Sequence, residues 1–218
     1  NKNWRPMHFS EVARLLSDAK LEFAASAEPL QHVDTFHLTA EQIEFLDAIP
    51  DSILRETVRD LFLNRQFRKD YWVKGLVRLP LDDQLKQIRS LRVVLTVPKD
   101  KISTKIKVGL GDLTLKETES TPIIEAITQL GIAKIEDIEA HVKDTLPAAP
   151  DTVRIGQILQ VVVALAGTGQ AALAQEEGVI SDRHANTKAL NHIFLDRAKN
   201  TNEISFLASP VTGGGIAA

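Results

Sequence analysis

Two arginines three residues apart, Arg65 and Arg68, have the clearest chemical potential in this sequence. They fall near the end of a predicted helix. There a guanidinium group can cap carbonyl groups, pair with Glu56 or Asp60, or reach a carboxylate or phosphate of a partner. Of these possibilities we favour internal pairing. Phe67, between the two arginines, is expected to anchor the segment in the core.

Tyr71 and Trp72, flanked by Lys69 and Lys74, form a second candidate site. Aromatic rings beside basic residues can bind a partner, but aromatic residues at a helix exit usually pack beneath the following loop. We favour packing here as well. The possible interface with a partner or substrate comprises Asn64, Arg65, Arg68 and Trp72.

No catalytic, cofactor-binding or metal-binding residue is predicted in this chain. The six histidines include no pair at the i, i+4 spacing of a helical metal site. No Gly-x-Ser-x-Gly elbow and no phosphate loop occurs. The stretch from Gly109 to Asp112 joins two alternating segments, so we expect a hairpin turn rather than the glycine turn of a cofactor-binding fold.

Composition narrows the class of protein. The chain has 218 residues, a net charge of -3 and no cysteine. Disulfides and thiolate chemistry are therefore excluded, and a reducing cytoplasm fits the composition. The longest apolar run, residues 158–166, is too short to cross a bilayer, so no membrane role is expected. The opening residues include no initiator methionine at position 1, which favours a piece of a longer protein.

The first part of the chain is predicted to be helical. A helix is predicted over residues 9–21, with Ser10 as its N-cap. A short strand is predicted over 21–24. Thr39 and Gln42 form a capping box that starts a helix reaching residue 48. The longest helix is predicted over 52–69, and its buried stripe comprises Leu54, Val58, Leu61 and Phe62.

The second part mixes strands and helices. We predict a short helix over 82–90, a strand over 91–97, a hairpin over 105–116 and helices over 122–130, 135–146, 153–166 and 185–198. A hairpin followed by three short helices favours a winged-helix-like arrangement. The fold class is thus α+β, mainly helical, with a helical domain over 1–80 and a winged-helix-like domain with a small antiparallel hairpin sheet over 81–218.

The segment around the two arginines resembles the core motif of a bacterial family, the predicted methyltransferase regulatory domain. That family has a helix ending in Asn-Arg-x-Phe-Arg, which corresponds here to Asn64, Arg65, Phe67 and Arg68. The segment Met7-His8-Phe9-Ser10-Glu11-Val12 is similar to the family's opening segment, and residues 208–215 resemble its closing piece.

The resemblance implies an accessory role. In the family an S-adenosylmethionine-binding domain lies N-terminal to this region, which is thought to regulate that domain or help present substrate. We therefore expect no methyl transfer by this chain alone, S-adenosylmethionine in the parent enzyme, and the catalytic domain of the same polypeptide as partner. The methyl acceptor is unknown.

The alternative is a stand-alone winged-helix protein that binds nucleic acid. The net charge argues against it, as does Arg154 being the single basic residue of the helix over 153–166.

Overall fold

The computed structural model describes residues 5–109, 111–146 and 150–217. In chain order its regular elements are α1 (Phe9–Ser17), β1 (Leu21–Ser26), α2 (Ala40–Asp47), α3 (Ser52–Phe62), β2 (Asp70–Lys74), α4 (Leu81–Ser90), β3 (Arg92–Leu95), β4 (Lys105–Val108), β5 (Gly111–Thr114), α5 (Glu117–Leu130), β6 (Ala133–Lys134), α6 (Ile135–His141), α7 (Asp151–Gly167), β7 (Ala171–Ala174), α8 (Glu177–Ala198), β8 (Phe206–Ala208) and β9 (Gly215–Ala217). Short 3-10 turns cover Pro29–His32, Asp34–Phe36 and Lys99–Lys101. The α+β, mainly helical class is confirmed.

Two compact units make up the chain. The first contains the residues up to Pro80 together with Lys105–Thr114, and the second contains Leu81–Thr104 together with the residues from Leu115 on. The predicted hairpin therefore lies in the first unit and not in the second. One contact that holds it there is long-range in sequence: the side chain of His37 accepts a hydrogen bond from the backbone N–H of Gly109 in the hairpin turn.

The first unit is built on a two-stranded antiparallel sheet, β1 with β2, in which Phe23 lies opposite Trp72. One extra residue between Phe23 and Ala25 makes a bulge in β1. Helix α2 begins at the predicted capping box: Thr39 accepts from the Gln42 backbone, and the Gln42 side chain accepts from the Thr39 backbone.

The second unit contains a three-stranded antiparallel sheet in the order β6-β3-β7. Its core is formed by apolar side chains from α5, α6 and α7, which are at most 1% exposed: Ile123, Ile127, Ile135, Ile138, Ile158 and Leu165. Helix α8 precedes a small hairpin of β8 and β9. None of the described helices combines the length and apolarity needed to cross a bilayer.

Several predicted helix boundaries were wrong. Helix α1 is preceded by His8 as N-cap rather than Ser10. Helix α5 begins at Glu117 and holds Pro122 inside it. Two glutamates in its first turn favour this earlier start, because acidic side chains stabilise a helix N-terminus. Helix α8 begins eight residues before the predicted 185.

The largest error concerns α3, which ends at Phe62 rather than residue 69. Its predicted burial is also wrong, because Leu54 is 52% exposed, Leu61 63% and Phe62 38%, while Arg59 is buried at 5%. Arg59 thus points into the unit, whereas Leu54, Leu61 and Phe62 point outward.

Candidate functional site

Asn64 terminates α3 and redirects the chain. It has a φ of 46°, the left-handed conformation that asparagine tolerates better than most residues. Its N–H donates to the carbonyl of Leu61, and the N–H of Arg65 donates to the carbonyl of Asp60. These two bonds are those of a Schellman motif. The asparagine of the motif is therefore a helix stop, which aims the following arginines back at the unit.

Arg68 is the centre of a partly buried ion cluster. Its guanidinium donates to Asp70 at 2.8 and 3.1 Å, to Asp60 at 2.9 Å and to Glu56 at 2.9 Å. The Arg68 side chain is 13% exposed, and Asp70 is 7% exposed. Internal pairing with Glu56 and Asp60 is what the helical spacing predicted, although the partner distances depend on the turn at Asn64.

Three carboxylates bond to one guanidinium in this cluster, and the charge of Arg65 also acts on Asp60. Burial by itself lowers the pKa of Arg68, but the bonds to Asp70, Asp60 and Glu56 outweigh it and raise that pKa above its ordinary value. Burial also raises the pKa of Asp60, and the bond to Arg68 opposes this rise. Arg68 is thus permanently charged, and its positive charge is what permits three carboxylates to lie together.

Trp72 belongs to an aromatic cluster beside Arg68. Its ring centroid is 5.6 Å from that of Phe9 and 5.6 Å from that of Phe23, and the latter two are 5.0 Å apart. Trp72 also lines a groove of about 900 Å³ in the first unit, which it shares with Arg14 and Glu22. The packing interpretation of Trp72 agrees with these contacts. Tyr71, by contrast, is 61% exposed.

Phe67 is not a core anchor, which corrects the sequence interpretation: its side chain is 75% exposed. The reason is the end of α3 at Phe62. A helix extending to residue 69 would have placed Phe67 on a helical face, whereas in the structure it lies on the connection between α3 and β2.

Arg65 is buried with little compensation. Its side chain is 7% exposed, and its closest carboxylate oxygen is Oε2 of Glu28 at 3.6 Å from Nη2. Its Nη1 is buried and has no hydrogen-bond partner among the described residues. Burial lowers the pKa of Arg65, and the nearby charges of Arg68 and Arg59 lower it further. Arg65 and Arg68 therefore have different surroundings although they are three residues apart.

A second buried arginine, Arg59, was missed by the sequence analysis. It donates from Nε to Asp34 at 2.9 Å and from Nη2 to the carbonyl of Gln31 at 2.9 Å. These bonds fix the 3-10 turns of the segment before α2. The available signal was the i, i+4 spacing of Arg55 with Arg59 and of Glu56 with Asp60 along the helix.

No group of three or more potential metal ligands lies together within residues 5–109, 111–146 and 150–217. The glycine turn is part of the β4–β5 hairpin, in which Val108 pairs with Gly111. Leu110 lies outside the described residues. His192 is exposed and lies 3.3 Å from Asp196 on the same helix.

Comparison with known proteins bears on this motif. Residues 1–74 match the predicted methyltransferase regulatory domain. The Asn64 to Arg68 motif and the opening segment lie inside the matched residues, whereas the resemblance of residues 208–215 lies outside them and stays a prediction.

Two similar proteins cover all or nearly all of the chain. An uncharacterized protein of Synechocystis is 33% identical over 217 residues, which is 100% of this chain and 42% of that protein. The structure of PKMT2 from Rickettsia typhi in complex with AdoHcy is similar in fold, with a TM-score of 0.51 at 11% identity over 97% of this chain and 44% of that one. The chain spans less than half the length of both relatives.

Proposed function

We propose that this chain is the non-catalytic regulatory or substrate-recognition region of an S-adenosylmethionine-dependent methyltransferase, and that it acts by packing on a cofactor-binding domain outside these 218 residues. The observation that carries the proposal is the match of residues 1–74 to the predicted methyltransferase regulatory domain. The proposed partner is the catalytic domain of the same polypeptide. The proposed compartment is the cytoplasm, supported by the absence of cysteine from the sequence.

The outer surface of α2 and α3 supports a packing role. Leu54 and Leu61 are seven residues apart on α3, more than half exposed, and so lie on one helical face. Phe45 of α2 is 55% exposed and its ring centroid is 5.8 Å from that of Phe62. We call these four residues, Phe45, Leu54, Leu61 and Phe62, the apolar stripe. Contiguous exposed apolar side chains are typical of protein contact surfaces.

The fold likeness to PKMT2 supports the proposed cofactor of the parent enzyme. AdoHcy, which that structure contains, is the molecule that S-adenosylmethionine becomes after it gives up its methyl group. In the parent of this chain we assign the cofactor to the partner domain, because no glycine turn leading from a strand into a helix occurs in this sequence.

The winged-helix-like interpretation also remains a proposal. Helices α5, α6 and α7 together with the three-stranded sheet β6-β3-β7 support it. Nucleic-acid binding is not favoured, because α7 buries six apolar side chains and contains one basic residue, Arg154. A fluorescently labelled duplex tests this alternative, and salt-sensitive binding by this chain would favour it over the accessory role.

Calorimetric titration with S-adenosylmethionine tests whether the cofactor binds outside these 218 residues. The chain alone should release no binding heat, whereas the full-length gene product should bind and transfer methyl groups in cell extract. Micromolar binding to the 218 residues alone would contradict the proposal, because it would mean that a cofactor site exists within them.

Substitution of the apolar stripe tests the packing role. In the full-length product, the double substitution Leu54→Ser and Leu61→Ser should lower methyl transfer. It should also make the connection between this region and the cofactor-binding domain sensitive to protease. The melting temperature of the 218-residue chain should stay unchanged. Val77→Ser is the matched control, since Val77 is 80% exposed but lies outside the stripe. Full activity in the double variant would rule the stripe out as the contact.

A further inference from the structure

A cavity of about 490 Å³ lies within the first unit beside Arg65. It is bordered by Gln42 of α2, Phe62 at the end of α3, and Lys107 and Gly109 of the hairpin. This volume falls in the range of small-molecule sites, roughly 300–1,000 Å³. The described lining residues include no carboxylate.

Arg65 lines this cavity, and the Glu28 carboxylate offsets its positive charge only in part. Its side chain is 93% removed from solvent, the complement of its 7% exposure, and the Glu28 carboxylate near it is itself 42% exposed. Its Nη1 group is fully enclosed and has no hydrogen-bond partner within the described part of the chain. A buried guanidinium is costly unless an anion pairs closely with it. Desolvation lowers the pKa of Arg65, and the charges of Asp60 and Glu28 oppose this shift only in part.

Two further donors border the same space. The side-chain oxygen of Gln42 is used by the backbone N–H of Thr39, so the oxygen is oriented and the amide nitrogen keeps its two N–H groups for another acceptor. Lys107 lines the cavity and is exposed, which adds a mobile positive charge at its rim. A planar guanidinium with amide and ammonium donors suits an oxyanion.

We propose that this cavity binds a small anionic molecule through its carboxylate or phosphate group, with Arg65 as the principal ligand and Gln42 and Lys107 as further donors. Nothing in this proposal depends on the methyltransferase role. The volume of the cavity favours a small molecule over a polypeptide or nucleic-acid strand. The carboxylate of Glu28 is too far from Nη2 for a close hydrogen bond.

Titration of the 218-residue chain with inorganic phosphate and, separately, with acetate tests this site by amide chemical shifts at constant ionic strength. We expect saturable shifts at Thr39 and Gly109 with one or both probes. Saturation by phosphate alone assigns a phosphate ligand, and saturation by acetate alone assigns a carboxylate. Absence of saturation with both probes would overturn the proposal.

Two variants make the test specific. Arg65→Gln should weaken binding at least tenfold, whereas the control Arg14→Gln, at an exposed arginine outside this cavity, should leave it unchanged. Gln42→Glu keeps the capping box, because glutamate serves equally at that position, but it places a negative charge against the anion. If Arg65→Gln fails to fold, Gln42→Glu alone tests whether the cavity binds the anion. Binding that survives Gln42→Glu would refute the site.

Discussion

The guanidinium carbon of Arg68 lies 4.2 Å from the centroid of the Phe9 ring. It is also 5.3 Å from the centroid of Phe23, so one side of the planar group faces aromatic rings while its edges donate to three carboxylates. Cation–π contact and charge-assisted hydrogen bonds act on the same group. Arg68 thereby ties α1 and β1, which carry the two rings, to α3 and β2, which carry the acids.

Replacing Arg68 with alanine should destabilise the chain strongly. The change removes the single cation bonded to Glu56, Asp60 and Asp70, and a buried ion cluster that loses one partner costs about 3–5 kcal/mol. For a domain of this size the melting temperature should fall on the order of 10 °C. Thermal unfolding followed by circular dichroism measures it.

Arg68→Lys separates the contribution of the positive charge from that of the planar hydrogen bonds, because an ammonium keeps the charge but cannot donate in the planar geometry. It should recover part of the lost stability and not all of it. Arg14→Ala, at an exposed arginine, should melt like the parent. An unchanged melting curve for Arg68→Ala would show that the cluster contributes nothing to the fold, and would return Arg68 to the predicted partner interface.

Asn64 should respond to glycine and alanine in opposite ways. Its φ of 46° costs a residue with a β-carbon roughly 1–2 kcal/mol, and glycine nothing. Asn64→Ala should therefore lower the free energy of unfolding by about 1 kcal/mol, whereas Asn64→Gly should keep or raise it. Chemical denaturation in urea measures both.

Lys20 offers a matched position, since it is the other non-glycine residue with a positive φ, 59°, in the described structure. Lys20→Gly should stabilise the chain through the same relief. If Asn64→Gly were as damaging as Asn64→Ala, a side-chain contact of Asn64 would be responsible, and a partner role would gain support.

The capping box and the end of α3 show what sequence can and cannot supply. Thr39 and Gln42 satisfy each other within one turn, so their pattern alone predicted the start of α2. The end of α3 depends on Asn64 adopting a left-handed conformation, and helical periodicity continues through that position. The inverted burial of α3 has a longer-range cause, because Arg59 becomes a core residue only through Asp34 and Gln31, 25 and 28 residues away in sequence.

The sequence predicted that the arginines of the motif would form ion pairs, but not that Arg65 and Arg68 would have different surroundings. Spacing indicated that Arg65 and Arg68 would pair with Glu56 or Asp60, and Arg68 pairs with both. No local signal distinguishes Arg65, whose surroundings are set by the hairpin of Lys105–Thr114 some forty residues later in the chain.

His37 should make the chain less stable in mild acid. Its Nδ1 accepts from the N–H of Gly109 at 3.1 Å and its Nε2 lies 3.0 Å from the carbonyl of Leu30, so the neutral ring with the proton on Nε2 fits both partners. Burial lowers its pKa, with the charges of Arg59 and Arg65 acting in the same direction. The bond to Leu30 and the charge of Asp34 oppose that shift.

The direction of the change in folding stability with pH follows from the linkage between proton binding and folding. Because the folded pKa is lowered, the unfolded chain binds the proton first, near pH 6.5. The contribution of His37 is full above that pH and is lost as the pH falls through the folded pKa. Urea midpoints should drop between pH 7.5 and 5.5, and drop less in His37→Gln. The exposed His184 gives the control His184→Gln, which should behave like the parent. Equal pH dependence in parent and His37→Gln would contradict this assignment.

Limited proteolysis should cut first after Arg78. The chain passes from the first compact unit to the second after Pro80, and residues 76–80 have no helix or strand. Arg78 is exposed, whereas the nearby Lys74 is in β2 and Lys86 is in α4, where backbone hydrogen bonds resist a protease. Trypsin should therefore release fragments 1–78 and 79–218, and Arg78→Gln should delay the first cut.

The two fragments should nevertheless stay together in native buffer. The hairpin of Lys105–Thr114 is covalently part of the second fragment but belongs to the first unit, and its Gly109 is bonded to His37 of the first fragment. Removing that hairpin would uncover part of the first unit, which costs the burial free energy of its apolar side chains. Size-exclusion chromatography should show one peak for the nicked protein and two after denaturation. Separate elution of native fragments would mean that the hairpin does not hold the first unit, and the boundary we propose at residue 80 would then divide two independent domains.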